Sequence, residues 1–473
     1  LLASLGSWTV KAPFSVQRPR AELATAVART AALYVDRNDL RVAYALTDSS
    51  GEPRVSRSNL QVRMVLAFGD GAPAQTYTCA QPNAMSGLGE CAQSLPASMF
   101  GGAERSASVT VQVRYGSSLV AFADAGSVTL KASVSHAGLT SAGMVAALPQ
   151  SPRFVNDEFD VVVSAHTGPS NFALKGWSFF FVYDTTVLQL VSSAFSSLYQ
   201  NPTVSQGAGT FDAVTTGLVP TATNGDVQGR TSLYLATLRF KVISGSGTTA
   251  SAALRGTAGS MVNQGTQNYL SNAPMGITDD RVAHQTNGRL VIEGVVPVGA
   301  LAFHGPSRRS SSLLNTAALD GQTVSTSVRV TELYNRASQP SVERTSRYVC
   351  SSANPSIVGV SGCTLSLGSS QTSGGSTRIS VSPASGGAPV ASLPVSVWFP
   401  LSVQVALADS ELQAVDCAPG GFQQTTATAL ATFDGGSDSS ASSVADLDVT
   451  SLVSFSASSS DVVTVSGRTV RGV

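Results

Sequence analysis

The sequence VSVWFPLSVQVALADSELQAVD, from Val395 to Asp416, decides the fold of this chain. Apolar residues alternate with other residues on both sides of Pro400, which is the period-two pattern of half-buried β-strands. The alternating apolar residues are Val395, Val397 and Phe399 before the proline, and Val403, Val405 and Leu407 after it. We interpret the proline as a break between two strands. The pattern therefore predicts that one all-β module ends here and the next begins with no flexible linker.

Trp398, Phe399 and Pro400 form the predicted module junction. Trp398 is out of phase with Val397 and Phe399, so its side chain points to the opposite face of the strand. We expect Trp398 to lie at the boundary and to stiffen it. Its replacement by Ala should then loosen the angle between two modules that both remain folded.

The composition favours several modules over one. A chain of 473 residues and 48.3 kDa exceeds what one hydrophobic core normally supports. Only 12% of the residues are charged, against about 25% in an average globular protein, so Ser, Thr, Gly, Asn and Gln must cover much of the surface. Such a surface suits strands and turns. We predict an all-β protein of tandem Ig-like or jelly-roll β-sandwich modules in an elongated multidomain chain.

Strand-like alternation and turn signals divide the chain into four predicted modules. These are an amino-terminal β-sandwich over residues 1–148, a second sandwich over 149–296, an Ig-like module over 297–402, and a last, truncated module over 403–473. Clear period-two runs include Val109, Val111 and Val113 in the first module and Leu238, Phe240 and Val242 in the second. We expect residues beyond both ends to belong to the same protein.

Charge and motifs exclude several classes of function. The 29 basic and 29 acidic residues balance, which leaves no electrostatic footprint for nucleic acid. No run of about 20 apolar residues occurs, so this segment is not expected to insert into a membrane. The chain also lacks G-x-S-x-G, H-E-x-x-H and phosphate-loop sequences. We predict a non-enzymatic protein with no cofactor and no metal, although carboxylates paired only in space remain an open alternative.

Two acidic clusters have two interpretations each. Asp157, Glu158 and Asp160 form one cluster, and Asp279 and Asp280 form the other. Their carboxylates offer the oxygen ligands that calcium prefers, here at a module junction. Neither cluster has the regular ligand spacing of a calcium loop, which favours solvated turns.

An aromatic run, Trp177 with Phe179, Phe180 and Phe181, also has two interpretations. It can form a platform on which carbohydrate stacks, or it can be the core of a sandwich. Apolar strands with two covered faces are usually core, so we favour the second interpretation.

The five cysteines predict an oxidising environment. Cys79 and Cys91 are twelve residues apart, and Cys350 and Cys363 are thirteen apart, which suits local disulfides. Free buried thiols are the alternative. A zinc site is disfavoured because no C-x-x-C occurs and the histidines are scattered. Cys417 has no neighbour in sequence, so its partner is left open.

Two stretches resemble known extracellular modules. YDTTVLQLVSS, from Tyr183 to Ser193, followed by LATLRFKV, from Leu235 to Val242, resembles the cohesin-type jelly-roll sandwich. Cohesins bind dockerin modules, so the resemblance implies a protein-binding fold. LDVTSLVSFSASSSDVVTVSGRTVRGV, from Leu447 to Val473, resembles the bacterial Ig-like repeat.

The order of these modules, joined by VSVWFPLSVQVALADSEL, resembles the ectodomain of the transmembrane protein 132 (TMEM132) family of single-pass surface proteins. The resemblance implies an extracellular structural or adhesion protein that associates with itself or with another surface or filament protein. The bias toward arginine over lysine is typical of a GC-rich, algal source. We therefore favour a segment of a surface or filament glycoprotein such as a flagellar mastigoneme.

Two alternatives from other classes stay open. One is a receptor-type ectodomain that binds a protein or glycan through its cohesin-like module. The other is a polysaccharide-acting enzyme that carries accessory Ig-like modules.

Overall fold

The computed structural model describes residues 21–48, 60–81, 88–115, 118–134, 139, 141–168, 172–245, 250–263, 268–279, 283, 285–304, 312–336, 338–413, 421–435 and 443–473. Strands dominate these residues and stack as sheets around apolar cores. The predicted all-β fold class is thereby confirmed. Within the same residues, no helix has the length and apolar character needed to cross a membrane.

The first sandwich has two sheets. Its strands are β1 (Ala21–Ala28), β2 (Ala32–Leu33), β3 (Asp39–Asp48), β4 (Leu60–Phe68), β5 (Gln75–Thr78), β6 (Leu88–Ser94), β7 (Arg105–Tyr115) and β8 (Ser118–Leu130), with a 3-10 turn at Ala97–Met99. One sheet has the order β1-β3-β6 and the other β2-β8-β7-β4-β5. Alternate residues of β7, namely Val109, Val111 and Val113, are fully buried, as the period-two pattern predicts.

The second sandwich is the largest. Its strands are β9 (Gly143–Ala147), β10 (Arg153–Phe154), β11 (Glu158–His166), β12 (Gly176–Tyr183), β13 (Leu188–Phe195), β14 (Thr203–Gly207), β15 (Thr210–Thr215), β16 (Leu233–Val242), β17 (Ala250–Val262), β18 (Asn268–Pro274), β19 (Gly276–Thr278) and β20 (Asn287–Glu293), with the short helix α1 (Asn224–Val227). The sheet β10-β20-β17-β12-β15-β14, to which β18 adds at β17, faces the sheet β13-β16-β11-β9-β19. Trp177, Phe179 and Phe181 are fully buried between them, which supports the core interpretation of the aromatic run.

The third sandwich has strands β21 (Pro297–His304), β22 (Ser312–Leu314), β23 (Val324–Tyr334), β24 (Val342–Glu343), β25 (Tyr348–Ser352), β26 (Gly359–Ser361), β27 (Thr364–Leu367), β28 (Gly375–Pro383) and the first half of β29 (Ala391–Leu407), with the helix α2 (Ala317–Asp320) and a 3-10 turn at Thr345–Arg347. One sheet has the order β21-β23-β27-β26, and β24 pairs with β23. The other contains β25, β28 and β29, and β22 pairs with β29.

The fourth unit shares β29 with the third sandwich. It adds β30 (Gln424–Asp434), β31 (Ser443–Asp448), β32 (Val463–Ser466) and β33 (Thr469–Gly472), with a 3-10 turn at Thr450–Leu452. The prediction of two strands divided at Pro400 is wrong, because β29 is one strand of 17 residues. A register shift between Pro400 and Ser402 leaves Leu401 as an extra residue against β30. Such a bulge accommodates a proline, which has no N–H to donate to the ladder.

The first sandwich also packs directly against the third, which does not follow it in sequence. Ala43 and Ala45 of β3 are buried in one apolar cluster with Leu301, Phe303 and Leu333 of the third sandwich. The approach is close at Gly299, where an added Cβ would lie 2.6 Å from Val27 Cγ1. The first and third sandwiches therefore share a closely packed interface.

Candidate functional site: the junctions between the sandwiches

Arg29 connects the first sandwich to the third. The residue is 7% exposed and lies just after β1. Its Nε donates to the Tyr334 carbonyl at 3.3 Å, and its Nη2 donates to the carbonyls of Arg336 at 3.1 Å and Gln339 at 2.9 Å. Nη1 donates to Glu90 at 3.0 Å. One guanidinium thus holds the chain that leaves β23 with three bonds to backbone oxygens.

Arg336 connects the third sandwich to the second. Its Nη2 donates to Asp157 Oδ1 at 2.6 Å, and its Nη1 donates to the Val155 carbonyl at 3.2 Å. The guanidinium carbon also lies 5.6 Å from the centroid of the Phe154 ring. A planar donor that forms two hydrogen bonds and stacks on a ring fixes orientation as well as distance.

Arg37 belongs to the first sandwich and reaches both others. Its Nη2 donates to the Asn335 carbonyl at 3.2 Å and its Nη1 to the Pro152 carbonyl at 3.4 Å. The guanidinium carbon lies 4.8 Å from the centroid of the Phe154 ring, the ring that Arg336 also contacts. Burial lowers the pKa of Arg37 and raises the pKa of Glu293, a shift that the charge of Arg37 opposes. We call Arg29, Arg37 and Arg336 with their partners the arginine junction.

Asp36 fixes the connection between the first and second sandwiches. Its carboxylate accepts the backbone N–H groups of Gln150 and Ser151, each at 3.1 Å, and pairs with Arg153 at 3.0 Å. The chain between β9 and β10 of the second sandwich is thereby bonded to the first sandwich.

The acidic clusters are engaged by protein groups. Besides Arg336, Asp157 accepts the Phe154 N–H at 2.9 Å. Asp160 pairs with Arg239 at 2.8 Å, and this hydrogen bond lowers the pKa of Asp160. Asp279 accepts the Gln285 side-chain amide at 2.6 Å, whereas Asp280 lies outside the described residues. Where the chain is described, no three His, Cys, Asp or Glu side chains group as metal ligands.

A cavity of about 570 Å³ opens between the first and third sandwiches. Its wall includes Val27, Glu332, Arg347 and Tyr348. Glu332 is buried and accepts the hydroxyls of Tyr334 at 2.7 Å and Tyr348 at 3.1 Å, and Arg347 lies 3.5 Å away. Burial and the Glu332 charge raise the pKa of Tyr348 to about 12. These bonds tie β23 to β25 and commit the carboxylate to structure.

The joint between the third sandwich and the fourth unit is β29 itself. Val397 is fully buried in the core of the third sandwich, and the adjacent Trp398 is 6% exposed in the core of the fourth. Phe399 and Pro400 are half-buried and pair with Asp434 and Phe433 of β30. Consecutive residues of one strand thus enter two different cores.

The second half of β29 differs from its predicted environment. Val403, Val405 and Leu407 were expected to be half-buried, yet they are 42%, 61% and 40% exposed, and Leu401 is 69% exposed. The bulge at Leu401 turns the odd-numbered residues away from the face that carries Val397. They share the core face of the fourth unit instead, at an edge where nothing in the described part of the chain covers them.

Residues 305–402 match the family model described as the TMEM132 fourth domain. The third sandwich is thus similar to the TMEM132 fourth domain, and we call it the TMEM132-type domain. The predicted resemblance to a TMEM132-type ectodomain is therefore confirmed, and the matched region ends at residue 402, just after the junction Trp398, Phe399 and Pro400. Arg336 of the arginine junction and the first half of the shared strand β29 both lie in this TMEM132-type domain.

Solved structures that are similar to part of the chain include several cohesins. The seventh ScaB type I cohesin of Pseudobacteroides cellulosolvens is 21% identical with a TM-score of 0.25, and the match covers 33% of this chain and 96% of that one. The third ScaC cohesin of Acetivibrio cellulolyticus, solved with the ScaB dockerin, is 14% identical with a TM-score of 0.25 over 32% and 99%. A non-cellulosomal cohesin of Archaeoglobus fulgidus is 15% identical with a TM-score of 0.21 over 33% and 92%. A comparison with curated protein sequences gave no match.

The structure brings together the predicted cysteine pairs. Cys79 and Cys91 form a disulfide with a Cα–Cα distance of 4.8 Å, and it joins the two sheets of the first sandwich. Cys350 and Cys363 form one with 4.9 Å, and it joins the two sheets of the TMEM132-type domain. Cys417 lies outside the described residues.

The arginine junction is the part of the site that the sequence analysis missed. Arg336 lies 307 residues from Arg29, and six of the hydrogen bonds by which Arg29, Arg37 and Arg336 cross between sandwiches go to backbone carbonyls. A carbonyl acceptor requires no particular side chain, so no motif marks it. The partial signal is Asp157, whose place near a module boundary the sequence analysis did single out.

Proposed function

We propose that this chain is a non-enzymatic structural segment of a larger extracellular surface protein, and that it holds its β-sandwiches in one fixed arrangement for adhesion or assembly. The observation that carries the proposal is the arginine junction, where three sandwiches meet on three guanidinium groups. The TMEM132-type domain and the disulfides support an extracellular, adhesive setting.

The units of this proposal are the four predicted modules, with Trp398, Phe399 and Pro400 as the joint between the last two. Its partners are further copies of the chain or other surface and filament proteins. A flagellar mastigoneme is the assembly that the composition favours. In such an assembly, uncharged polar side chains on the surface and the low charge content permit neighbouring chains to pack closely side by side.

Scattering measurements on the full chain test the fixed arrangement. We expect small-angle X-ray scattering of monomeric protein to fit one rigid conformation. The double variant Arg29→Met with Arg336→Met should scatter with a larger radius of gyration, since it removes the cross-sandwich hydrogen bonds of both arginines and leaves only those of Arg37 and Asp36. Arg239→Ala is the matched control, because Arg239 pairs with Asp160 inside the second sandwich and should change nothing.

The proposal fails if the unmodified chain already requires an ensemble of sandwiches that move independently. Electron microscopy of the native material provides the second test. Regular fibres whose repeat matches several sandwiches support a structural subunit, whereas isolated flexible particles contradict it.

A second candidate function is a receptor-type ectodomain that binds a partner through the second, cohesin-like sandwich. The observation that favours it is an apolar patch on the outer face of that sandwich, where Phe180, Val182 and Val214 are 38%, 43% and 36% exposed. Substituting Phe180 by Ser should abolish capture of a protein or glycan partner while the sandwich remains folded. Capture that persists in Phe180→Ser would remove this candidate.

A further inference from the structure

The second half of β29 is an open sheet edge. On one side of β29, β28 pairs as far as Gly375 with Val397, and β30 continues from Asp434 with Phe399. On the other side, β22 pairs in parallel and ends at Leu314 with Trp398. Beyond Trp398 on that side, no described strand pairs with β29. Residues 399–407 therefore present an open edge, in line with the position that β22 occupies beside the first half of β29.

The backbone of this edge has free hydrogen-bonding groups in a defined order. The Ala408 N–H donates to the Thr426 carbonyl of the β30 chain at 3.1 Å. Residues of an antiparallel strand alternate in which neighbour they bond. The even-numbered residues from Ser402 to Ala408 thus bond toward β30. The N–H and C=O groups of Val403, Val405 and Leu407 point to the open side.

No side chain of the edge is charged, and those on its core face are apolar. Val403, Val405 and Leu407 pair with Ala431, Ala429 and Ala427, which are buried in the fourth unit, so all six share one face. From Trp398 to Ala408 the sequence contains no charged residue. Natural edge strands are usually protected by charges, prolines or short length, and here only Pro400 interrupts the edge at its start. An unprotected apolar edge of this kind accepts another strand.

The sequence of the edge indicates which strand. Residues 401–407 read LSVQVAL and are nearly palindromic. When this segment is placed antiparallel to a copy of itself about Gln404, leucine opposes leucine, valine opposes valine, and serine opposes alanine. The pair Val403 with Val405 falls at a hydrogen-bonded position, where the backbone groups point outward, and Leu401 opposes Leu407 at the bulge. Backbone and side chains therefore agree on the same two-fold register.

We propose that β29 pairs with β29 of a second copy of this chain, antiparallel and about a two-fold axis through Gln404. The interface is isologous, and it joins the fourth units of two copies into one continuous sheet. The apolar faces of the two copies then lie side by side. This inference rests on the proposed function, because it identifies the assembly partner as a second copy of the chain and the pairing surface as the open edge of β29.

Charge substitution at Gln404 tests the axis. Gln404 is exposed and would face its own copy, so Gln404→Lys and Gln404→Glu each place like charges together. We expect sedimentation velocity at low salt to show dimers of the unmodified chain and at least tenfold weaker association of each variant alone. An equimolar mixture of the two variants should recover the dimer. Gln206→Lys, an exposed glutamine on strand β14 of the second sandwich, is the matched control and should dimerise normally.

A cysteine at the axis gives an independent measurement. Position 404 would be a non-hydrogen-bonded pair with Cα atoms about 4.5 Å apart, within the range of a disulfide. In a Cys417→Ser background, mild oxidation of Gln404→Cys should yield a covalent dimer on a non-reducing gel.

Three results would overturn the self-pairing: a monomeric parent chain, a dimer that Gln404→Lys leaves intact, or a mixture of opposite charges that stays monomeric. The scattering test of the arginine junction is made on monomers, so either result can fail without the other.

Discussion

The two junctions of this molecule join domains by different physical means. At the arginine junction, separate surfaces that are distant in sequence are held by guanidinium groups donating to backbone carbonyls and to Asp157. At β29, the domains share one strand, and adjacent residues enter two cores. The arginine junction depends on particular hydrogen-bond donors, whereas the junction at β29 depends on the number of residues in the shared strand. The comparison predicts that a point substitution in one junction destabilises the domains joined there and leaves the other junction unchanged.

The largest expected effect is the loss of the fourth unit in Trp398→Ala. Trp398 is the largest side chain of a small core that also contains Phe433, Leu447 and Val449. Truncating a buried aromatic residue costs about 3–5 kcal/mol, a large part of the stability of one domain. Hydrogen exchange should show β30 to β33 open while β21 to β28 remain protected.

This expectation revises the sequence analysis, in which Trp398→Ala only loosened an interdomain angle. Trp398→Phe is the control, since it keeps an aromatic ring in the core and should retain most of the protection. Unchanged exchange of β30 in Trp398→Ala would show that the shared strand does not depend on its tryptophan.

Next in size is the effect of Arg29→Met on the attachment of the first sandwich. Methionine retains the apolar stem but leaves the carbonyls of Tyr334, Arg336 and Gln339 without this donor. We expect a loss of about 2–3 kcal/mol, measured by urea unfolding. Hydrogen exchange should rise in β1 and β21 and stay unchanged in β30. Equal destabilisation of the fourth unit would break the distinction between the two junctions.

An alkaline scan sharpens the comparison through Tyr44, which lies between Ala43 and Ala45 of the packed cluster. Its hydroxyl donates to the Ala80 carbonyl at 2.9 Å, and burial raises its pKa to about 12. The unfolded chain loses this proton near pH 10, so the stabilisation is full below about pH 10 and is lost as pH rises to about 12. The loss is on the order of 2 kcal/mol.

Tyr44→Phe should flatten that part of the pH dependence in unfolding experiments on the full chain. At neutral pH the variant loses one hydrogen bond, a cost of about 1 kcal/mol. A parent and a variant with the same alkaline profile would contradict the assignment.

The smallest effect is expected for Arg336→Lys. Lysine keeps the charge opposite Asp157 but loses the planar group that also reaches the Val155 carbonyl and stacks on Phe154. We expect a loss of about 1 kcal/mol in urea unfolding. A loss larger than that of Arg29→Met would mean that the link to the second sandwich, and not the link to the first, dominates the junction.

Local patterns predicted much of the fold. Alternation located β7 and β16, because one face of each is covered and the pattern is a direct record of that burial. The stretch around Trp398 and the modules in their order also predicted the TMEM132 type. The spacing of the cysteines indicated the pairs that the structure brings together.

The arrangement of the sandwiches was beyond the sequence. Arg29 bonds to a carbonyl 305 residues away, and a carbonyl leaves no trace in composition or periodicity. The prediction of a half-buried environment for Val403 and Val405 was wrong for a different reason. These residues do alternate, but a neighbouring strand must be present for the alternating face to be covered. The bulge at Leu401 determines which face of β29 the residues occupy.

The bulge also determines which heritable changes this region tolerates. Deleting the single codon for Leu401 would remove the extra residue of the bulge and leave Ser402 opposite Thr432 and Val403 opposite Ala431, so that Val403, Val405 and Leu407 keep the core face of the fourth unit. A conservative substitution at the same codon changes only an exposed side chain. We therefore expect lineages of this gene to vary in the identity and in the presence of residue 401, while the pairing of Val403 with Ala431 is retained.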